Sequence, residues 1–182
     1  MTWYTALVLA VAAERLAELL IARRNARWSR ARGAATADGR HYPLMVALHT
    51  GLLAACPLET SLAGRPFPPV LGWVMLGMVA AAQALRWWCV QALGRQWNTR
   101  VLVVPGLPLV TGGPYRWLRH PNYVAVAAEG LALPLVHGAW VTALAFTALN
   151  TWLLTVRIRC EEAALTAAAP TAPATAPMSP RA

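Results

Sequence analysis

Residues 70–93, VLGWVMLGMVAAAQALRWWCVQAL, form an apolar run long enough to cross a lipid bilayer, since about 20 mostly apolar residues span the hydrocarbon core as a helix. Gln83 and Arg86 sit inside this run, and Trp87 and Trp88 follow where an aromatic belt would meet the headgroups. The stretch therefore reads as a transmembrane helix that carries a charge near one end.

Reading outward toward the N-terminus, residues 64–69, GRPFPP, hold three prolines, which cannot continue a helix. A second apolar span covers Tyr42 to Leu62 and a first covers Trp3 to Ile21. Between those two lie Arg23, Arg24, Arg27, Arg30, Arg32 and Arg40, and such arginine-rich connections stay on the cytoplasmic side. Toward the C-terminus, Gly94 to Arg119 is polar and rich in Gly, Pro and Arg, as a structured cytoplasmic loop would be. The next apolar length, Tyr123 to Val156, is too long for one span. Pro134 and His137-Gly138 divide it into two short helices that return to the cytoplasm at Arg157. The resulting fold class is an all-α integral membrane protein with five transmembrane helices. Its last two form a short hairpin, its N-terminus lies outside and its C-terminus lies in the cytoplasm. Arg65 is then the one arginine left on the outer side.

Composition supports the bilayer as solvent. Of 182 residues, 58% are hydrophobic and 13% charged, against roughly a quarter charged in soluble domains, and mean hydropathy is +0.45. The formal net charge of +9 comes from arginine alone, for the chain has no lysine. Those arginines lie between apolar stretches rather than among aromatics on a soluble face, which speaks against nucleic acid and for anionic lipid headgroups. Cys56, Cys89 and Cys160 are isolated and do not cluster with His41, His49, His120 or His137, so neither a metal site nor a disulfide framework is indicated. No basic segment precedes the first apolar run, and the expectation is an anchor rather than a cleaved signal peptide. Residues 1–166 form one membrane domain. Residues 167–182, almost pure Ala, Pro and Thr, are expected to be disordered.

Ionisable groups inside spans cost roughly 2.5 to 3.5 kcal/mol each near the centre and by default suggest function. Here they share one half of the bilayer. Glu14, Arg15 and Glu18 lie on the first span, His49 on the second, Gln83 and Arg86 on the third and Glu129 on the fourth. Glu14 and Glu18 share a helix face, and Arg15 can pair with Glu18. These groups either make structural interhelical pairs or line a polar cavity that opens inward, and both readings turn them toward the bundle. Arg86 needs an anionic partner, either Glu129 or the carboxylate of a cofactor.

The most specific local signal is residues 112–123, GGPYRWLRHPNY, followed beyond the hairpin by residues 157–165, RIRCEEAAL. The Gly-Pro-Tyr, Arg-His-Pro-x-Tyr and Arg-x-x-x-Glu-Glu elements resemble the isoprenylcysteine carboxyl methyltransferase family. Trp97-Asn98-Thr99-Arg100, His41-Tyr42-Pro43-Leu44-Met45 and Glu14-Arg15 are similar to a bacterial branch that methylates alkylpyrones and alkylresorcinols. The resemblance runs through nearly the whole chain to Leu165. Where the family often has Gly two residues after the motif tyrosine, this chain has Ala125.

The resemblance implies an S-adenosylmethionine-dependent O-methyltransferase at the cytoplasmic membrane face. Gly113, Pro114, Tyr115, Arg119, His120, Pro121, Tyr123, Glu161 and Glu162 would form the cofactor pocket. Arg157 would stand near the reacting centre, with His120, Glu129 and Arg86 as further catalytic candidates. These residue types suit a ligand with a carboxylate, an ammonium, a sulfonium and a planar base: arginine forks a carboxylate, aromatic rings stack or face a cation, and glutamates offset positive charge. Methyl transfer is an in-line displacement that needs alignment and dryness, with no metal. A carboxylate acceptor needs only orienting, by Arg157 or Arg86, whereas a phenol or enol needs a base such as His120 or Glu129; His120 equally suits a structural role. The implied partners are the bilayer and a lipophilic acceptor, an alkylresorcinol, an alkylpyrone or a prenylated carboxylate, with a polyketide synthase pathway as one supplier. The competing readings are an NADPH-dependent membrane reductase with a related pocket, a phospholipid N-methyltransferase, and a non-catalytic membrane scaffold.

Overall fold

Glycine and proline punctuate an almost wholly helical chain. The computed structural model describes residues 2–36 and 41–168. Among them run α1 (Thr2–Arg30), α2 (His41–Leu62), α3 (Pro69–Leu93), α4 (Pro121–Leu135) and α5 (Trp140–Ala168). Pro69 and Pro121 open α3 and α4 in the first turn, where a missing N–H costs no helical hydrogen bond. Three helices, His41–Leu62, Pro69–Gln96 and Trp140–Ala167, are long and apolar enough to cross a membrane. With 15 residues, α4 extends about 22 Å, less than the hydrocarbon thickness of about 30 Å. The first helix has the length, 29 residues, but carries Glu14, Arg15 and Glu18 in its middle.

Two helices outrun their apolar stretches. Instead of stopping near Ile21, α1 continues to Arg30, so Arg23, Arg24, Arg27 and Arg30 lie on a helix rather than in a loop. Hydropathy marks where a chain leaves lipid, whereas helix continuation follows propensity, and Ala22 to Arg30 contains neither Gly nor Pro. The extension buries Ala22, Asn25, Ala26 and Ser29 along one stripe. Asn25 Nδ2 donates to the carbonyls of Gly94 (3.0 Å) and Trp97 (2.8 Å), which seats the start of the α3–α4 loop. Likewise the second arm of the hairpin is not short: α5 runs 29 residues to Ala168, two residues past the expected domain boundary. The rest of the Ala/Pro/Thr tail lies outside the described residues.

The helices pack around a core drawn from all five, including Tyr4, Val8 and Val11 of α1, Leu52 and Cys56 of α2, Val79 of α3, Leu133 of α4 and Phe146 of α5. Gly130 lets α4 approach α5 closely, because a side chain there would occupy the position of the Phe146 ring. Solvent-facing positions reverse the soluble pattern. Leu62 and Val70 are 80% and 82% exposed, while Glu18, Arg86, Glu129 and Arg157 are each 4 to 6% exposed. Apolar groups outside and charges inside are what a hydrocarbon solvent selects.

The loops are tied down at both ends of the bundle. Glu59 near the end of α2 accepts from the backbone N–H groups of Val141 (3.2 Å) and Thr142 (2.8 Å), capping the first turn of α5. At the opposite end of α2, β1 (Ala35–Thr36) pairs antiparallel with β2 (Leu102–Val103). That short ladder joins the α1–α2 connection to the α3–α4 loop. Two 3₁₀ turns, Gly94–Gln96 and Gly113–Arg116, give the same loop its remaining order.

Candidate active site

Arg15 is the hub of an interhelical network joining α1, α3 and α4. Its guanidinium donates to Glu18 (2.6 Å), Gln83 (2.8 Å) and Glu129 (2.9 Å). Arg86 meets the same Glu129 oxygen at 2.5 Å and lies 3.4 Å from Glu18. Glu14 accepts from Gln83 and from the Trp87 indole N–H. Glu129 is thus the anionic partner that Arg86 requires. Burying such charges is costly unless each is paired, and the pairing here locks three helices in register.

A second polar group gathers where α4 and α5 meet the α3–α4 loop. Arg157 is buried, and its Nε donates to Tyr123 Oη at 2.9 Å while one Nη donates to the Thr99 carbonyl at 2.6 Å. The other Nη lies 3.5 Å from Met45 Sδ. Among the described residues Arg157 has no carboxylate within ion-pair distance, so its charge is offset only by neutral acceptors. The Tyr123 hydroxyl in turn donates a hydrogen bond to Glu161. The His120 ring stacks on Tyr123, with centroids 5.4 Å apart, and its nitrogens lie 4.0 Å from Glu161 and 3.6 Å from Glu162. Helical spacing explains the set: Arg157 and Glu161 are one turn apart on α5 and share a face.

The Gly-Pro-Tyr turn positions Tyr115. Gly113 takes φ of +59° and lies so close to α3 that an added Cβ would meet Ala92 Cβ at 3.0 Å and Trp88 Nε1 at 3.2 Å. Pro114 is fully buried beneath it. Burial, reinforced by contact with Cys89, pushes the Tyr115 phenol well above its ordinary value, leaving it a neutral donor.

Two cavities share this region. One of about 350 Å³ is walled by the α3–α4 loop together with Tyr115, Arg119, His120, Tyr123, Arg157, Glu161 and Glu162. The other, about 170 Å³, lies deeper among the helices, between Arg15, Glu18 and Arg86 on one side and Tyr42, Met45, His49 and Leu53 on the other. Trp97, Asn98, Asn122, Tyr123 and Arg157 line both, so Tyr123 and Arg157 stand in the partition.

Of the candidates marked in the sequence, the structure therefore brings seven together on the larger cavity. Arg86 lines the smaller one. Gly113, Pro114 and Pro121 lie behind the wall and fix its backbone, and Glu129 lines neither cavity. Sequence reasoning assigned no site role to Trp97, Asn98, Asn122 or Met45, and placed His49 only among the polar groups that either pair between helices or line an inward cavity. The Trp97-Asn98-Thr99-Arg100 and His41 to Met45 segments carried the signal for three of them, but no residue spacing shows that two distant loops share a wall.

The isoprenylcysteine carboxyl methyltransferase family profile matches residues 75–167, the stretch that supplies the α3–α4 loop, Tyr123, Arg157 and the paired glutamates. The chain belongs to this family. A relative from Bacillus subtilis (strain 168), described as the uncharacterized protein YpbQ, is 37% identical over 166 residues, covering 91% of this chain and 96% of the relative. Family membership makes the protein a membrane methyltransferase, in keeping with its three bilayer-length apolar helices.

Proposed function

We propose that the protein transfers a methyl group from S-adenosylmethionine to an oxygen of a lipophilic acceptor, an alkylresorcinol, an alkylpyrone or a prenylated carboxylate. The observation that carries this reading is the pair of cavities meeting at Tyr123 and Arg157: one is walled by the α3–α4 loop with Tyr115, His120, Glu161 and Glu162, the other lies among the helices. The larger volume lies within the roughly 300 to 1,000 Å³ of small-molecule sites.

The residues present fit the cofactor. Asn98 Oδ1, Asn122 Oδ1 and Trp97 Nε1 are buried and have no hydrogen-bond partner among the described residues, so the partition holds unused acceptors and a donor. Glu161 and Glu162 offset an ammonium or sulfonium, Arg119 suits a carboxylate, and Tyr115 and Tyr123 offer aromatic faces. When bound, the sulfonium supplies an activated methyl group. The chain itself aligns the acceptor oxygen, through Arg157 held between Tyr123 and Thr99, and excludes water with the helices around the deeper cavity.

In this reading α1 and α4 complete five spans in the cytoplasmic membrane, with the arginine-rich end and the α3–α4 loop inside, the N-terminus outside and the C-terminus cytoplasmic. The acceptor's tail enters between helices while its headgroup reaches the partition, and a polyketide-forming reaction is a fitting source of such a lipid. The test is transfer of labelled methyl from S-adenosylmethionine to alkylresorcinols, alkylpyrones and prenylcysteine analogues in lipid nanodiscs. A thermal shift with S-adenosylhomocysteine and none with NADPH is expected beside it. Failure with every lipid acceptor overturns the proposal.

A further inference from the structure

We infer that His49 is the group that takes the proton from an acceptor hydroxyl, which narrows the substrate of the proposed methyl transfer, on which this inference rests, to lipids with a phenol or enol headgroup. His49 lines the deeper cavity together with Arg157. Its Nδ1 lies 2.8 Å from the carbonyl of Met45. A carbonyl only accepts, so Nδ1 carries the hydrogen, and the neutral ring then presents a bare lone pair at Nε2. No hydrogen bond within the described protein occupies Nε2. Met45 also lies against Arg157 through its sulfur, so one residue fixes the tautomer of His49 and touches the guanidinium at the partition.

The other ionisable side chains on the cavity wall are already paired or are themselves cationic. The wall carries Arg15 and Glu18 from α1, Tyr42 from α2, Arg86 from α3, Tyr123 from α4 and Arg157 from α5. Glu18 is held by Arg15 and Arg86, the Tyr123 hydroxyl already donates to Glu161 and accepts from Arg157, and arginines remain cationic. Glu129 stands behind this wall, bound by both arginines. His120 belongs to the larger cavity, between Glu161 and Glu162.

A carboxylate acceptor is ionised at neutral pH and would leave His49 without a task, whereas a phenol, with a pKa of about 10, is not. In the step, the acceptor O–H bond breaks and its proton goes to His49 Nε2. The oxygen lone pair forms the new O–CH₃ bond as the methyl–sulfur bond breaks, its electron pair staying on sulfur as a neutral thioether. The imidazolium gives its proton to water once product has left.

The experiment compares wild type and His49→Asn in nanodiscs, with a long-chain alkylresorcinol and an S-farnesylcysteine analogue as acceptors. Asparagine keeps an N–H for Met45 but lacks the distal lone pair. With the resorcinol at pH 7, kcat is expected to fall on the order of 10²-fold, KM to stay within about threefold, and the rate to recover as pH approaches the phenol's own pKa of about 10. An S-adenosylhomocysteine thermal shift equal to wild type shows that the fold is intact, and His49→Gln serves if His49→Asn does not fold. Retained kcat, equal loss with both acceptors, or a wild type that methylates only the carboxylate overturns the inference while leaving methyl transfer standing. A wild type inactive on every acceptor overturns the proposed function and this inference with it.

Discussion

At Arg157 a single side chain answers three needs. Its fork reaches Tyr123 and the Thr99 carbonyl at once, and its uncompensated charge faces both cavities. Arg157→Lys keeps the charge but not the planar fork, so kcat/KM is expected to drop by roughly 10²-fold in the methyl-transfer assay, the scale of a misplacement of about 1 Å. Arg86 acts differently. Arg86→Met leaves Glu14, Glu18 and Glu129 to share Arg15, and stripping one partner from buried ion pairs costs about 3–5 kcal/mol. Thermal unfolding in detergent measures it: a large fall in midpoint is expected for Arg86→Met, and a smaller one for Arg157→Lys.

Among the elements, the α1 extension and the α5 cap carry the most consequence for the site. Asn25 spends both N–H donors on loop carbonyls. Asn25→Ala strands buried acceptors at a cost of about 1–3 kcal/mol and is expected to weaken S-adenosylhomocysteine binding by loosening the loop, as read by calorimetry. The Glu59 cap lies at the far end of the bundle. Glu59→Ala removes the acceptor for two N–H groups of α5, worth about 1 kcal/mol. Its expected signature is a midpoint lowered by roughly 2–4 °C with cofactor affinity unchanged.

For the whole molecule, α2 is the ruler. Its 22 residues separate its ends by about 33 Å, and the proposed five-span arrangement puts Arg32 and Gly64 on opposite faces of a bilayer. Arg32→Cys and Gly64→Cys, each made in a Cys160→Ser background, are expected to react with a membrane-impermeant maleimide from opposite sides of sealed vesicles. Labelling of both from one side would contradict the five-span arrangement.

Much of this arrangement was legible in the chain. Apolar run length and the positions of proline and glycine place α2, α3 and the α4–α5 break within a few residues, because lipid thickness and the missing proline N–H act locally. The motif from Gly112 to Tyr123 and the Arg157 to Glu162 turn likewise mark seven residues that the fold brings onto one cavity. Hydropathy alone did not reveal that α1 continues through its arginines or that α5 runs to Ala168, since helix propensity outlasts the apolar stretch. Only tertiary packing decided which Glu129 oxygen meets Arg86, that Asn98 and Asn122 close a shared wall, and that His49 looks into the same cavity as Arg157. Those relations join residues tens of positions apart, and their geometry comes from helix packing, which no local spacing encodes.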